Sequence, residues 1–460
     1  MKHDIVLIVD HKWRDLPGMA LLAAMLESEH GCSLRLIPYS MWQEALAVDR
    51  PQVLCVSALY GARGREIIRV CRETGTKLAV IMTEGRPNSL QSLAYCVGKE
   101  SNSKHADLWI AWSRTVKDYM LKEGVLPEEK IPVAGAVRFD IYKPPFNKVI
   151  MPRSEFAAKY GLDPLKPTVS WATNFTHAKF HLKNREFLVK DWKDLGLSGY
   201  DAYSKPLEAA RLDWETRNEC AAIIKDLLRV RPDLQLAVKP HPAEDHKYYE
   251  EFVSECRKEF GPRVVFVGFE YIWDLLNAVD VHIHRLCTTG VEAWFLDVPS
   301  IDFHIRDYMP WSVDLPGAAS EAVPGNDLVT TAQGLIKRVN FFLAGGRHTP
   351  EQYKAREEYI KKWLYKVDGK RAYENAASIA ALAGAKRRIK RPAFSRKNFR
   401  LYAKTAATRL LGGRPRESLE FLLSGRKSKV DRIGHVDKTI TAKDVSFWLA
   451  KMRPFASQNW

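Results

Sequence analysis

The sequence predicts two successive α/β domains, each built on a parallel sheet, followed by a basic C-terminal segment. Three observations predict this. Short β-branched apolar runs alternate with longer helix-like stretches over most of the chain. Pro144, Pro145 and Pro152 interrupt that alternation once, near its middle. At 460 residues the chain also exceeds what one ordinary core accommodates.

In the first half the strand-like runs are Ile5–Val9, Ser33–Ile37, Val53–Ser57, Leu78–Met82, Leu108–Ala111 and Ile131–Ala134. Helix-like stretches lie between them at Met19–Glu29, Gly64–Glu73 and Thr115–Glu123, the last stopped by Gly124. Strands that are apolar at every position are buried on both faces, as in parallel sheets. After the proline-rich break the pattern restarts with Val169–Ala172, Leu236–Val238, Val264–Val267, Val281–Ile283 and Ser300–Phe303. Helices are predicted at Glu208–Val230, His246–Phe260 and Ile272–Ala278. The domains drawn from this pattern are 1–145 and 153–384, with a cleft between them and a tail over 385–460.

Composition narrows the function classes. With 46% hydrophobic and 27% charged residues the chain is globular. No run of 18 apolar residues occurs, so no bilayer-spanning helix is expected. The opening run Ile5–Val9 is too short for a signal-peptide core and reads as a strand. Seven scattered cysteines contain no CxxC pair, which points to a reducing compartment and no zinc site. The net charge of +16 is unevenly placed: residues 386–460 hold 20 Lys and Arg against 5 Asp and Glu. The remainder is nearly neutral. A basic segment interleaved with Phe394, Phe399, Leu401 and Tyr402 suits an anionic membrane surface, with a solvated linker or a packed arm as the plainer reading. No recognised nucleic-acid module accompanies the charge, so nucleic acid is not the expected partner.

Open α/β sheets bind ligands at the carboxyl ends of their strands, so residues just after strands are the candidates. Two such places stand out. Leu236–Val238 runs into Lys239-Pro240-His241-Pro242, where two prolines hold an imidazole beside an ammonium. That pair suits a departing phosphate, whereas the plain alternative is a loop histidine bonding backbone. Val281–Ile283 runs into His284-Arg285-Leu286-Cys287-Thr288-Thr289-Gly290-Val291-Glu292. Here two threonine hydroxyls, Gly290 and Glu292 open a helix, with Glu292 expected in its first turn to meet ribose or favour the helix dipole. A simple N-cap is the alternative. Asn174, after Val169–Ala172, either faces a bound ligand or forms a turn. Arg14 and Asp15, after the first strand, either face the cleft or cap the following helix. Glu84, after Leu78–Met82, is either a base or the ion-pair partner of Arg86 or Arg63. Neither a Walker loop nor a GxGxxG fingerprint occurs, which argues against an NTPase or a dehydrogenase. His282 and His284 share one face of a strand without a third ligand, so no metal is expected.

Together the His241-Pro242 loop, the Thr288–Ala293 turn and Asp297-Val298-Pro299-Ser300 resemble the C-terminal half of GT-B glycosyltransferases. The closer resemblance is to bacterial surface-carbohydrate enzymes: CMP-sialic acid and CMP-Kdo transferases and CDP-glycerol glycerophosphotransferases. Trp13–Gly18, Gly135–Asp140 and Val367–Lys370 extend it over about residues 1–385. The resemblance implies a GT-B-like fold of two Rossmann-like domains and a metal-independent glycosyltransferase without a bound cofactor. It implies a CMP-activated donor carrying a nonulosonate- or Kdo-type sugar and a surface glycan acceptor, free or lipid-linked. Glu84 and His241 would be catalytic. Lys239, Pro242, Thr288, Thr289, Gly290, Glu292 and Asn174 would hold the donor, and Arg14 and Asp15 the acceptor. Where sialyltransferases have a first acidic residue, this chain has Thr83, which puts the base at issue. A CDP-glycerol, CDP-ribitol or UDP-sugar transferase is the alternative of the same fold, and a non-catalytic membrane-associated scaffold that of another class. The expected location is cytoplasmic, on the inner face of the cytoplasmic membrane.

Overall fold

A computed structural model describes residues 3–83, 90–98, 100–307, 309–312, 323–384, 388–390 and 439–456. The chain forms two compact units, one of residues 1–86, 94–146 and 363–460, the other of 87–93 and 147–362.

In the first unit five parallel strands are ordered β2-β1-β3-β4-β5: β1 Ile5–Val9, β2 Leu34–Pro38, β3 Val53–Val56, β4 Lys77–Ile81 and β5 Leu108–Ile110. Helices α1 Lys12–His30 and α2 Gly61–Thr74 cross from β1 to β2 and from β3 to β4, and α3 Arg114–Lys122 follows β5. The run Ile131–Ala134, expected as a sixth strand, contributes only an isolated bridge between Ala111 and Val133. Pro132 offers no N–H to a ladder, which limits pairing there.

α1 begins at Lys12, well before the expected Met19, and carries Pro17 inside it. It is buried continuously from Asp15 to Leu26, as a helix covered on every side must be. Gly18 is required where it crosses the Arg138 backbone, because a Cβ there would lie 2.9 Å from the Arg138 Cα.

The second unit has six parallel strands ordered β11-β10-β9-β6-β7-β8: β6 Thr168–Ala172, β7 Gln235–Lys239, β8 Val264–Phe266, β9 Val281–His284, β10 Ser300–Phe303 and β11 Asp327–Val329. Counted from β6 this is the 3-2-1-4-5-6 order of a doubly wound nucleotide-binding sheet. Its order reverses between β6 and β9, and that switch point sets the site described below. Helices α4 Pro206–Val230, α5 His246–Phe260, α6 Ile272–Ala278, α7 Thr288–Trp294 and α8 Ala332–Leu343 pack on the sheet. Trp171, Phe175, Leu227, Tyr249 and Phe252 form the centre of one of its cores.

The chain then returns to the first unit at Trp363, so the second unit ends well before the expected 384. Two short motifs make the return. Asp140 accepts the backbone N–H groups of Arg371 (3.1 Å) and Ala372 (2.6 Å), capping helix α9, Arg371–Gly384, from far away in sequence. Arg371 is buried and held by Asp368 and Glu374, and its guanidinium also donates to the Ala134 carbonyl. Gly135, at φ +73°, lies so close that a Cβ would come within 2.6 Å of the Arg371 Cδ. Gly135–Asp140 and Val367–Lys370, grouped by resemblance, are thus two halves of one structural clasp. Burial pushes the Asp140 carboxyl up to about 7, against the pull of those two N–H bonds and of Arg371.

The basic segment was expected as a surface tail over 385–460. Its end instead forms helix α10, Ala442–Ala456, which packs on α1. Trp448, Met452 and Ala456 are buried at four-residue spacing. Lys12 pairs with Asp444 at 2.8 Å and Arg453 with Glu27 at 3.0 Å. The basic residues 391–438 lie outside the described residues. Among the described residues no helix is long and apolar enough to cross a membrane.

Candidate functional site

In the second unit the sheet register aligns Lys239, Ala172, His284 and Asp302 across the carboxyl ends of β7, β6, β9 and β10. The loops beyond these residues form the candidate site, and buried polar groups tie them together.

The turn after β7 holds His241 between two prolines, closed by the Glu244 N–H on the His241 carbonyl at 2.9 Å. The His241 Nδ1 accepts the Ala243 N–H at 3.1 Å, so the neutral ring carries its proton on Nε2. Nε2 is therefore the donor this loop presents. Pro242 has no N–H and fixes its own φ, which keeps that turn in one conformation. Lys239 is placed differently from expectation. Its Nζ donates to the carbonyls of Gly268 (3.1 Å) and Glu270 (2.8 Å), committing two of its three N–H bonds to the loop after β8. Burial lowers its pKa to about 8, with Glu270 pulling the other way.

Glu244 escaped sequence reading and anchors the turn. Its Oε1 accepts the Thr173 hydroxyl (2.8 Å) and the Phe175 N–H (2.9 Å), and Oε2 accepts the Tyr249 hydroxyl. The turn after β7 is thus fastened to the loop after β6. Burial raises the Glu244 pKa despite these donors.

Across the switch point, Asn174 donates to the Arg285 carbonyl at 3.4 Å while Arg285 donates to the Asn174 carbonyl at 3.2 Å. Asn174 therefore ties the two loops together, a role between the two expected for it. Arg285 also pairs with buried Asp213 at 2.9 Å and lies over the Phe175 ring. Asp213 further accepts the backbone N–H of His177 at 3.1 Å. Burial alone would raise the Asp213 pKa, but Arg285 and His177 outweigh it and hold it low.

Beyond β9 the chain turns through Leu286 at φ +43°, a left-handed position uncommon for leucine. Asp302 holds it there by accepting the Leu286 N–H at 2.9 Å. Against the cost of burial, His284 and His304 hold the Asp302 pKa down to about 2. The turn delivers Thr288 and Thr289 to the start of α7, both half-buried. Thr289 shares its hydroxyl with the His282 Nε2 at 2.9 Å. Gly290 packs on the His284 ring, where a Cβ would lie 2.1 Å from Nε2. It is needed there for packing. Glu292 falls beyond the first turn expected for it and is buried.

The first unit offers a second location. A small pocket is lined by Asp15, Gly18, Met82, Thr83, Trp112 and Arg138 among others. Arg14 forks onto the buried Asp15 (2.7 and 2.9 Å) and reaches Thr83 at 3.2 Å. Asp15 also accepts the His11 N–H at 3.1 Å, so it serves the helix start and lines the pocket at once. Arg138 stacks near Trp112 and Phe139. Glu84 lies outside the described residues. No group of three or more His, Cys, Asp or Glu among the described residues is arranged to hold a metal ion.

No protein-family model matches the chain, and no curated protein matches its sequence. Solved structures do match its fold. The wall teichoic acid polymerase TagF superposes with a TM-score of 0.53 at 12% identity, over 83% of this chain and 89% of its own. A protein of Listeria monocytogenes assigned as a UDP-N-acetylglucosamine 2-epimerase gives 0.51 at 13%, over 85% and 99%. Another UDP-N-acetylglucosamine 2-epimerase gives 0.51 at 12%, over 86% and 100%. At such identities the likeness concerns fold, and the fold is the α/β, GT-B-like class of two parallel-sheet units that the sequence led us to expect.

Proposed function

We propose that the chain is a glycosyltransferase that takes a sugar from a nucleotide-activated donor, with the nucleotide phosphate at the switch point of the second unit. The observation that carries this reading is the convergence there of Asn174, His241, Thr288 and Thr289 on loops already tied together by Glu244 and Arg285. Pre-organised donors aimed at a departing phosphate act where charge develops. In this mechanism the His241 Nε2–H and the threonine hydroxyls receive the phosphate as the glycosidic bond to nucleotide breaks. Glu84 removes the acceptor hydroxyl proton, and Arg14 and Asp15 orient the acceptor.

Within this reading the donor is CMP-linked, carrying a nonulosonate- or Kdo-type sugar, and the acceptor is a surface glycan, free or lipid-linked. The basic segment 386–438 would keep the enzyme beside an anionic membrane. A second version of the same fold is a CDP-linked donor, and the likeness to the epimerases favours a UDP-sugar. Calorimetric titration with CMP, CDP, UDP and GDP separates them. Tight binding of CMP supports the first version and tight binding of another nucleotide replaces it. If none of the four binds, the transferase reading falls and the non-catalytic scaffold stands.

A further inference from the structure

Beneath the switch point a chain of three side chains crosses from β6 to α7. The Ser170 hydroxyl lies 2.8 Å from the His282 Nδ1, and the His282 Nε2 lies 2.9 Å from the Thr289 hydroxyl. Ser170 and His282 are fully buried. Among the described residues, His282 is the side-chain partner of Ser170.

That geometry orders the protons. A buried hydroxyl whose one neighbour is an imidazole nitrogen must donate to it, or its proton is left without an acceptor. Ser170 therefore donates to Nδ1, and a neutral His282 carries its proton on Nε2. Burial and the adjacent His284 ring keep His282 neutral, well below the ordinary imidazole range, with Asp302 as the opposing charge nearby. Nε2–H then donates to the Thr289 oxygen. With its oxygen already accepting, the Thr289 hydroxyl has its own proton left to give.

We infer that Ser170 and His282 are positioning residues, a buried relay that presents Thr289 as a hydrogen-bond donor to a phosphate oxygen of the nucleotide. The inference rests on the phosphate role proposed for this edge. With the opposite tautomer, Thr289 would spend its proton on His282 and face the anion with lone pairs. The relay thus selects for an anionic acceptor at this position.

Two measurements test it. In ¹⁵N-histidine-labelled full-length protein, the His282 signal, assigned by its loss in His282→Phe, should show Nε2 protonated. An Nδ1-protonated ring overturns the relay. For the tightest-binding of CMP, CDP, UDP and GDP, Thr289→Val should weaken binding by about ten- to a hundredfold and Thr289→Ser by less than about threefold. His282→Phe should weaken it too, and His282→Phe with Thr289→Val no further than Thr289→Val alone. Multiplying losses would show that His282 acts independently of Thr289 and overturn the inference. Normal binding by Thr289→Val would overturn it while leaving the transferase reading in place. If none of the four nucleotides binds the wild type, both fall together. Should His282→Phe not fold, the wild-type tautomer and the two Thr289 variants decide.

Discussion

Two buried carboxylates, one in each unit, meet the same loss of water and answer it in opposite directions. Asp140 is pushed up to about 7, whereas Asp302 is held down to about 2. Asp140 accepts two backbone N–H groups, and its nearest guanidinium, Arg371, is already engaged by Asp368 and Glu374. Asp302 has His284 and His304 close by and a backbone N–H besides. The difference teaches what each does. Asp140 closes a chain return and needs only to accept, charged or not. Asp302 sets a strained turn through which Thr288 and Thr289 are delivered, and its charge belongs to that site.

Four outcomes would sharpen or break this contrast. The largest is expected at the site itself. His241→Ala should lower turnover by about 10²–10³ with an unchanged melting temperature. Turnover near the wild-type value in a folded variant would remove His241 from the phosphate. Asp140→Ala should cost roughly 2–4 kcal/mol of stability, since two buried N–H groups lose their acceptor. Its nucleotide affinity should match the wild type once folded, and a large loss there would move the clasp into the binding machinery.

A smaller effect is expected from acid. The Asp302 pKa is depressed on folding, so its contribution is present above the unfolded value near 4 and disappears as pH falls toward 2. That contribution amounts to about 2 kcal/mol. Asp140 is raised on folding, so its contribution is full below about pH 4 and is lost as pH rises through about 7. Denaturant melts of Asp302→Asn between pH 2 and 5 should lose the acid slope, and those of Asp140→Asn between pH 4 and 8 the opposite one. Slopes of the same sign would refute the contrast. The smallest effect belongs to the surface. Arg453→Ala should change stability by no more than about 1 kcal/mol, because Arg453 is more than half exposed in its pair with Glu27.

Much of this architecture was legible in the residues. Strands such as Ile5–Val9 and Val53–Val56 show as apolar runs because both faces of a parallel strand are covered. β11, Asp327–Val329, was missed because an edge strand of three residues carries no period. Ile131–Ala134 was overread because apolar content says nothing of where N–H groups go. α10 was hidden by its charge: counting Lys and Arg over 386–460 concealed the Trp448, Met452, Ala456 stripe. At the site, His241 and Thr289 announced themselves by following strands. Ser170, Asp213, Glu244 and Arg285 did not, since each derives its role from a partner 60 or more residues away that only the sheet order brings near.

The covering of α1 by α10 also has a temporal side. α1 leaves a ribosome some four hundred residues before the helix that shields it. At about 5–20 residues per second the interval is on the order of 20–80 s. Throughout it the face of α1 that later holds Trp448, Met452 and Ala456 has nothing of its own chain to rest on. The second unit, made of residues 87–93 and 147–362, can finish meanwhile. Order of synthesis and order of completion are therefore reversed, and the nascent N-terminal half is the part that would need a chaperone's shelter.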